Sequence, residues 1–467
     1  MRIHDRACVR DLAMTVAINA LVFAIAGCAG SQDKTRDNGP PVSHQRSDAS
    51  EEKATEKAVE EEAPEKTPEA LAAEKKAADE EAAADKAAAD KKASDEGKAK
   101  VMASCEPASD APRFRPLPDP SVPWCTDDGE TLLTFFHITD THVGKEPPTD
   151  EGEITRDVDA FAAIVKAMNA MRTKTEPAPE FAVITGDLTD GWRSSDIRTF
   201  KSMLEDLNFP SYVCSGNHDV TFDPQTKHMK SWKRWFPKAT LPQVIERGPI
   251  VLIGYDSQIY NARRKSEEVD DIATRQWRKI QSAVKEAHAA GKRTFLFAHI
   301  PALPSLFRKK VGASWSTKYL KPFQRLMKKY EVEASLTGHF HRDELYVDGK
   351  TFFLNAPPVS RWETRDSSYR IIRVMKTGLA YRQIYIGPEA KTRSYEVDLR
   401  GVTPEGMARW VDGLDDAGLR KVWEMRYAGD DASERMYGEQ LKGHFRKFLK
   451  DPFSYQPKSG RTRRLSP

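Results

Sequence analysis

The stretch that decides the fold is Thr131-Leu-Leu-Thr-Phe-Phe-His-Ile-Thr-Asp140-Thr-His142. Residues 132–138 form an almost continuous apolar run rich in aromatic and large aliphatic side chains, which indicates a strand buried on both faces. The run ends at an Asp-x-His pair, and α/β folds bind ligands at the carboxyl ends of such strands. We therefore expect Asp140 and His142 to face a bound group at the edge of a buried sheet.

The same arrangement recurs five times downstream, and each apolar run ends at a polar cluster. The runs and their clusters are 181–185 before Gly186-Asp187, 212–214 before Gly216-Asn-His-Asp219, 250–254 before Tyr255-Asp256, 294–298 before His299-Ile-Pro301, and 334–337 before Gly338-His-Phe-His341. Helical spacing of apolar residues predicts helices at 157–171, 195–207, 273–290 and 319–330. The alternation of strands and helices indicates the α/β class.

The side chains in these clusters are carboxylates, imidazoles and one amide, a ligand set suited to metal ions. A single such residue after a strand is more often a turn or cap residue. Several clusters in succession favour a metal centre, and the set is large enough for two ions. Gly186, Gly216 and Gly338 allow the tight turns that such a centre requires.

The order D-x-H, G-D, G-N-H-D, H and G-H-x-H resembles that of the calcineurin-like metallophosphoesterases over about residues 130–390. The resemblance implies a four-layer sandwich with two mixed β-sheets flanked by helices. It implies two divalent or mixed-valence metal ions, of Mn, Fe or Zn. The implied ligands are Asp140, His142 and His341 for the first metal, Asn217, His299 and His339 for the second, and Asp187 as a bridge between them.

The same resemblance implies the chemistry. A hydroxide shared by the two metals attacks the phosphate ester. His218 faces the substrate and assists the leaving group, while Asp219 orients its ring. A capped turn is the structural alternative for this pair. Thr141, Thr189, Asp190 and Asp256 either orient ligands or satisfy loop amides.

The word Gly186-Asp-Leu-Thr-Asp190 lacks the tyrosine usual in purple acid phosphatases and resembles the bacterial cyclic-nucleotide and glycerophosphodiester phosphodiesterases. Phosphodiester hydrolysis is therefore the expected activity. The alternatives are an acid phosphatase-like phosphomonoesterase and a non-catalytic lipoprotein binding module. Trp192, Tyr255, Arg361 and Trp362 either line a leaving-group pocket or pack at its rim.

The N-terminus has the features of a targeting signal. Residues 1–27 have basic residues and a short apolar run typical of a signal peptide, and Ile25-Ala-Gly-Cys28 resembles a lipobox. We expect a lipid on Cys28 that anchors the chain outside a bacterial cytoplasmic membrane, in the outer membrane if the organism has one. An uncleaved anchor helix and ordinary signal cleavage are the alternatives. Residues 28–113, rich in Ala, Glu and Lys, are expected to be a disordered or helical tether.

Other features of the sequence are less specific. The net charge of +3 arises from 73 basic and 70 acidic residues, so no specific nucleic-acid partner is evident. Cys105 and Cys125 can pair if the chain is exported, and Cys214 is expected in the core.

We expect a catalytic domain over 130–395 and a charged, partly helical extension over 396–467, which either forms a small cap, contacts a partner or is a loose tail. The oligomeric state stays open.

Overall fold

The computed structural model describes residues 67–103, 105, 108–125, 131–144, 157–219, 225–260, 266–302, 315, 317–361, 366–387, 393–427 and 439–451. The predicted signal peptide, Cys28 and Trp362 lie outside the described residues.

The described residues form strands and helices that alternate through much of the chain. The strands are β1 (Arg113–Pro116), β2 (Thr131–Ile138), β3 (Ala182–Ile184), β4 (Ser211–Val213), β5 (Gln243–Arg247), β6 (Ile250–Gly254), β7 (Arg293–Phe297), β8 (Ala334–Thr337), β9 (Glu344–Asp348), β10 (Thr351–Asn355), β11 (Ser367–Met375), β12 (Gly378–Ile386) and β13 (Tyr395–Asp398). The helices are α1 (Pro68–Ala103), α2 (Asp157–Arg172), α3 (Ser194–Glu205), α4 (Gln225–Trp235), α5 (Glu267–Ala289), α6 (Thr317–Lys329), α7 (Pro404–Gly413), α8 (Asp416–Tyr427) and α9 (Glu439–Lys450).

Two mixed sheets form the centre of the fold. One has the order β1-β13-β12-β11-β2-β3-β4, and the other has the order β5-β6-β7-β8-β10-β9. Strands β2, β3 and β4 are parallel, as are β6, β7, β8 and β10, whereas the remaining pairings are antiparallel. Helix α2 packs on the first sheet and α5 on the second. The predicted α/β sandwich of two mixed sheets flanked by helices is confirmed.

The core lies between the two sheets and under the helices. Phe135 of β2 contacts Phe295 of β7 edge to face at 6.3 Å, which joins the two sheets directly. Among the strands that were predicted from apolar runs, β6 and β8 are buried along their whole length. Burial on both faces explains why these strands read as continuous apolar runs rather than as alternating ones.

The first sheet extends past both predicted domain boundaries. Edge strand β1 pairs with β13, so strands near residues 113 and 395 belong to the same sheet, and Phe114 stacks on Trp410 of α7. Cys105 and Cys125 form a disulfide beside this edge. The boundaries predicted at 130 and 395 therefore cut through a sheet, because a four-residue edge strand is too short to be recognised from its sequence alone.

Helix α1 differs from the others. It has 36 residues, which corresponds to about 54 Å, and its side chains are exposed wherever the structure describes them. Its repeats distribute charged residues around the helix and leave no apolar face for packing. Among the described residues, no helix is long and apolar enough to cross a membrane.

Candidate metal centre

The polar clusters predicted at strand ends meet at one edge of the sandwich. Strands β2, β3 and β4 of the first sheet lead to Asp140, Asp187 and Asn217, while β7 and β8 of the second lead to His299 and His339. Backbone hydrogen bonds join these loops, since Asp140 N donates to Gly186 O and Gly338 N donates to His299 O, each at 3.0 Å. The two sheets therefore present their ligands to a shared space.

The first cluster contains Asp140, His142 and His341, whose facing atoms lie within 4.8 Å of one another. His341 Nε2 lies 3.0 Å from Asp140 Oδ1 and 3.3 Å from His142 Nε2. Thr139 Oγ1 and His339 N donate to the other oxygen, Asp140 Oδ2. These bonds fix the carboxylate so that Oδ1 faces the two imidazoles.

The second cluster contains Asp187, His299 and His339. His299 Nε2 lies 3.2 Å from Asp187 Oδ2 and 3.1 Å from Asn217 Oδ1. His299 Nδ1 lies 2.8 Å from the carbonyl oxygen of Thr185, which can only accept, so Nδ1 carries a proton and Nε2 is the nitrogen that can offer a lone pair to a ligand once it loses its own proton.

Asp187 lies between the clusters. Its Oδ2 is 3.2 Å from His299 Nε2 and 3.7 Å from His142 Nε2, so one oxygen faces imidazoles of both clusters. The other oxygen accepts a hydrogen bond from His218 N at 2.7 Å. Asp187 therefore lies between the two clusters, where a bridging ligand was expected.

Backbone conformation singles out the same residues. Five of the seven predicted ligands have a positive φ, namely Asp140, His142, Asp187, His339 and His341. Such conformations cost roughly 1–3 kcal/mol each outside glycine and concentrate at functional sites. The strain is distributed over three of the ligand-bearing strand ends, those of β2, β3 and β8, and directs the side chains into the shared space.

Two glycines permit the close approach of these loops. A Cβ at Gly338 would collide with Thr139 Oγ1 and the Asp140 carboxylate, and a Cβ at Gly216 would collide with Asp187 N. Neither position has room for any other residue.

The charges of the cluster shift the pKa values of its members. Burial by itself lowers the pKa of His142, but hydrogen bonds to Asp140 and Asp190 and the charges of Asp187 and Asp140 raise it to about 10. Burial also lowers the pKa of His299, but the charges of Asp187 and Asp140 raise it to about 9. At Asp187 burial raises the pKa, yet the charge and hydrogen bond of His299 hold it well below its usual range.

His218 has a different carboxylate partner from the one expected. Its Nδ1 lies 2.7 Å from Asp190 Oδ1, and its half-exposed ring lies against His142 with ring centroids 4.7 Å apart. Asp190 Oδ1 also lies 3.4 Å from His142 Nδ1. Asp190 therefore orients the ring that was predicted to face the substrate.

The prediction that Asp219 holds His218 is wrong. The Asp219 carboxylate is fully buried and accepts backbone hydrogen bonds from Gly216 N, Leu188 N and Thr189 N at 2.8–3.0 Å. Neighbouring side chains point in different directions in a turn, so Asp219 ties two loops together while His218 faces outward. Burial and the charge of Asp187 raise the pKa of Asp219 to about 6, against the effect of these bonds.

Other polar residues support the loops. Thr141 Oγ1 donates to Leu188 O, Thr189 Oγ1 to Asp219, and Gln258 N to Asp256 Oδ1. Thr139 and Thr185, which hold Asp140 and His299, were not singled out from the sequence. A threonine next to a ligand carries no signal that distinguishes it from any other strand residue.

The four aromatic and basic residues suggested for a leaving-group pocket have different positions. Tyr255 is buried in the core against Trp315 and Phe323, so it packs rather than lines a pocket. Arg361 donates to Ser367 Oγ and to Ile386 O. Trp192 is half-buried beside the Asp187 loop.

The residues present fit metal ions. The carboxylates of Asp140 and Asp187 are buried, and among the described residues no lysine or arginine pairs with either. Two imidazole nitrogens of the first cluster, His142 Nε2 and His341 Nε2, lie 3.3 Å apart, and His341 Nε2 also lies 3.0 Å from Asp140 Oδ1, so all three atoms face one small space. Carboxylate, imidazole and amide ligands around a shared carboxylate suit Mn, Fe or Zn.

Comparisons with known proteins agree with this centre. Residues 133–343 match the family model of the calcineurin-like phosphoesterases. A probable glycerophosphodiester phosphodiesterase GpdQ from Arcobacter nitrofigilis is 25% identical over 231 residues, which are 48% of this chain and 77% of that protein. The matched region resembles a calcineurin-like phosphoesterase domain, and together with the ligand clusters it supports a metal-binding phosphoric ester hydrolase.

Two solved structures also resemble the fold. A dimetal phosphatase from Danio rerio is 12% identical, with a TM-score of 0.44 over 57% of this chain and 99% of that one. The purple acid phosphatase PPD1 from yellow lupin, Lupinus luteus, is 12% identical, with a TM-score of 0.40 over 57% of this chain and 53% of that one.

Proposed function

We propose that this chain hydrolyses phosphodiesters with two metal ions, at a site outside the cytoplasmic membrane to which a lipid on Cys28 anchors it. The observation that carries the catalytic proposal is the pair of clusters at one edge of the sandwich. Asp140, His142 and His341 form one cluster, Asp187, His299 and His339 form the other, and Asp187 faces both.

Seven side chains would hold the metals: Asp140, His142 and His341 on one side, Asn217, His299 and His339 on the other, and Asp187 between them. When bound, two metal ions supply Lewis-acid stabilisation of the phosphoryl charge and a water of lowered pKa. The chain itself contributes a rigid frame, because hydrogen bonds from Thr139 and to Thr185 orient the first and second sets of ligands.

His218 would donate a proton to the departing alcohol. Its ring is part-exposed, whereas the imidazoles of His142, His299 and His341 are buried. The Asp190 carboxylate, 2.7 Å from Nδ1, orients the ring and leaves Nε2 as the nitrogen that can reach the departing alcohol.

Diester rather than monoester hydrolysis is supported by two observations. The Asp187 loop reads Gly-Asp-Leu-Thr-Asp, without the tyrosine of purple acid phosphatases. The curated relative over 48% of the chain is described as a probable glycerophosphodiester phosphodiesterase.

The extracytoplasmic location is supported by sequence and by one covalent bond. The lipobox-like Ile25-Ala-Gly-Cys28 follows a signal-like segment, and α1 has the charge-rich composition of a spacer. The Cys105–Cys125 disulfide suits an oxidising compartment. Exogenous diesters, or the phosphates of envelope components, are the substrates that such a location favours.

The catalytic proposal is tested with full-length protein in detergent. We expect elemental analysis to find two metals per chain, and bis(p-nitrophenyl) phosphate to be hydrolysed with a higher kcat/KM than p-nitrophenyl phosphate. Faster cleavage of the monoester would overturn the diester preference. Inactivity on both esters after reconstitution with Mn, Fe and Zn would instead favour a binding module.

The anchor is tested separately by metabolic labelling with an alkyne fatty acid. We expect label on the wild-type chain and none on the Cys28→Ser variant, with Cys8→Ser as the matched control that keeps its label. A labelled Cys28→Ser protein, or an unlabelled wild type in membranes, would contradict the anchor.

A further inference from the structure

Trp192 has an unusual backbone conformation. Among the described residues, seven that are not glycine have a positive φ: five are the strained ligands of the metal centre, Glu331 follows the end of α6, and Trp192 is the seventh, at +58°. A bulky residue in this region is disfavoured, and the cost persists only where the surroundings or the function require it. Trp192 thus shares the backbone signature of the catalytic loops.

Trp192 is held in place by two contacts of its side chain and one hydrogen bond of its backbone. Its Nε1 donates to Ser231 Oγ at 2.7 Å, and its ring stacks on buried Trp232 with centroids 5.8 Å apart and planes within 11°. Its backbone N donates to Thr189 Oγ1. The ring is nevertheless half-buried rather than enclosed. A preorganised aromatic surface loses little entropy when a flat ligand binds to it.

The position of Trp192 places it beside the leaving-group side of the centre. It follows Asp190, which binds His218, by two residues, and its anchor Ser231 lies on α4, the helix that follows the His218 loop in the chain. Trp192 therefore connects the loop of Asp187 and the segment after His218. If His218 protonates the departing alcohol, the loop that carries Asp190 and Trp192 is the side from which a ring could reach the group attached to that alcohol.

The charge of α4 restricts the chemistry of that group. Lys230, Lys233 and Arg234 of α4 are exposed, and residues 225–240 contain no acidic side chain. An aromatic face can bind a quaternary ammonium group, but the neighbouring cations would repel it. A neutral or anionic planar ring suits this surface better.

We propose that Trp192 is a specificity-determining residue that stacks on the planar aromatic leaving group of the phosphodiester, such as an aryl or nucleoside alcohol. The inference rests on the proposed function and narrows its substrate class. Aromatic stacking of this kind is worth about tenfold in binding, in the range that base stacking on aromatic side chains shows.

The experiment compares three esters on full-length, metal-loaded protein: methyl p-nitrophenyl phosphate, glycerophosphoglycerol and glycerophosphocholine. For each ester, the ratio of variant to wild-type kcat/KM removes the difference in intrinsic reactivity. We expect Trp192→Leu to lower the value for the aryl ester about tenfold and for the two glycerol esters less than about twofold. Trp192→Phe should stay within about threefold on the aryl ester, because it keeps a ring.

Two further variants separate stacking from structural damage. Ser231→Ala keeps the ring but removes the acceptor of its N–H, and we expect a smaller loss that is again confined to the aryl ester. Trp235→Leu removes another half-buried tryptophan of α4, and the ratio between the esters should not change.

The outcomes are distinct. Equal losses on all three esters would show that Trp192 is structural and would overturn the inference, as would a larger loss on glycerophosphocholine, which would indicate cation binding. A wild type that hydrolyses none of the esters would overturn the proposed function and with it this inference. If the wild type is active and Trp192→Leu has the same kcat/KM for the aryl ester, the role of Trp192 is overturned while the proposed function stands.

Discussion

The protein neutralises buried carboxylates in two different ways in two regions. In the antiparallel part of the fold, Asp343 accepts a hydrogen bond from Arg370 at 2.7 Å, and Glu396 is paired with Arg382 at 2.8 Å. In the metal centre, Asp140 and Asp187 are equally buried but contact histidines.

The difference separates carboxylates that stabilise the fold from carboxylates that are available to bind a metal ion. An arginine is always charged and satisfies a carboxylate permanently. An imidazole can give up its proton and offer a lone pair, so carboxylates among imidazoles can accept a cation from solution. In the first region the carboxylate charges are therefore neutralised by the fold itself, whereas in the second we expect metal ions to neutralise them.

The largest expected effect comes from removing the shared charge of the metal centre. Asp187→Asn keeps the shape but not the charge, and we expect kcat/KM for the phosphodiester to fall by about 10³-fold or more, because metal-ion catalysis contributes several kcal/mol. The metal content should fall below two per chain, while folding is retained. Steady-state kinetics with elemental analysis checks this, and activity within tenfold of wild type would contradict the bridging position.

Breaking the arginine pair should give the opposite pattern. Arg370→Met leaves Asp343 buried without its cation, and we expect the free energy of unfolding to fall by about 3–5 kcal/mol with the metal content unchanged. Chemical denaturation measures this. Arg193→Met is the control, because Arg193 is exposed and its pair with Asp196 contributes less than about 1 kcal/mol. A loss of metal in Arg370→Met without a loss of stability would erase the distinction between the two regions.

Proton release should accompany metal binding. In the metal-free centre the pKa values of His142 and His299 are raised to about 10 and 9, so both imidazoles are protonated at pH 7. Filling both sites at pH 7 should release about two protons, one per metal ion, and the affinity for each ion should rise up to about tenfold per pH unit below pH 9. Calorimetry in buffers with different ionisation enthalpies measures the protons, and binding without release would contradict the assignment.

The same shifts fix the pH dependence of the metal-free fold. Both pKa values lie above the ordinary 6.5, so the folded state binds these protons more tightly than the unfolded state. Their stabilisation is fully present below pH 6.5 and is lost as the pH rises through about 9 to 10.

The smallest expected effect distinguishes the two aspartates near His218. Asp190→Asn removes the charge that orients the ring, and we expect kcat to fall about tenfold on a substrate with an alkyl alcohol as leaving group. Asp219→Asn should reduce stability by about 1–2 kcal/mol, because three backbone N–H groups lose a charged acceptor, with kcat within about threefold. If Asp219→Asn lowered kcat and Asp190→Asn lowered only stability, Asp219 would be the partner of His218.

The sequence predicted the parallel strands well and the antiparallel ones poorly. Strands β6 and β8 begin and end at the predicted residues, because both are continuous apolar runs that stop at polar clusters. Strands β11 and β12 were not recognised, since buried arginines interrupt their apolar residues. Arg370 and Arg382 are buried only because Asp343 and Glu396 reach them from elsewhere in the chain, and no pattern within one strand carries that information.

The metal centre was predictable to the level of residue clusters and not to the level of every contact. The seven expected ligands come together because parallel strands bring their carboxyl ends to one edge of the sheet. The partner of His218 was assigned to the wrong aspartate, since adjacency in the chain says little about direction within a turn. Trp192 has a positive φ, which could not be predicted from the sequence.

The most direct test of the account is an anomalous diffraction measurement on crystals of the metal-loaded protein. We predict two peaks, one among Asp140, His142 and His341 and the other among Asp187, His299 and His339, with Asp187 in contact with both. A single peak, or none near these residues with His142 and His299 still paired to the carboxylates, would contradict the claim that this region is completed by two metal ions.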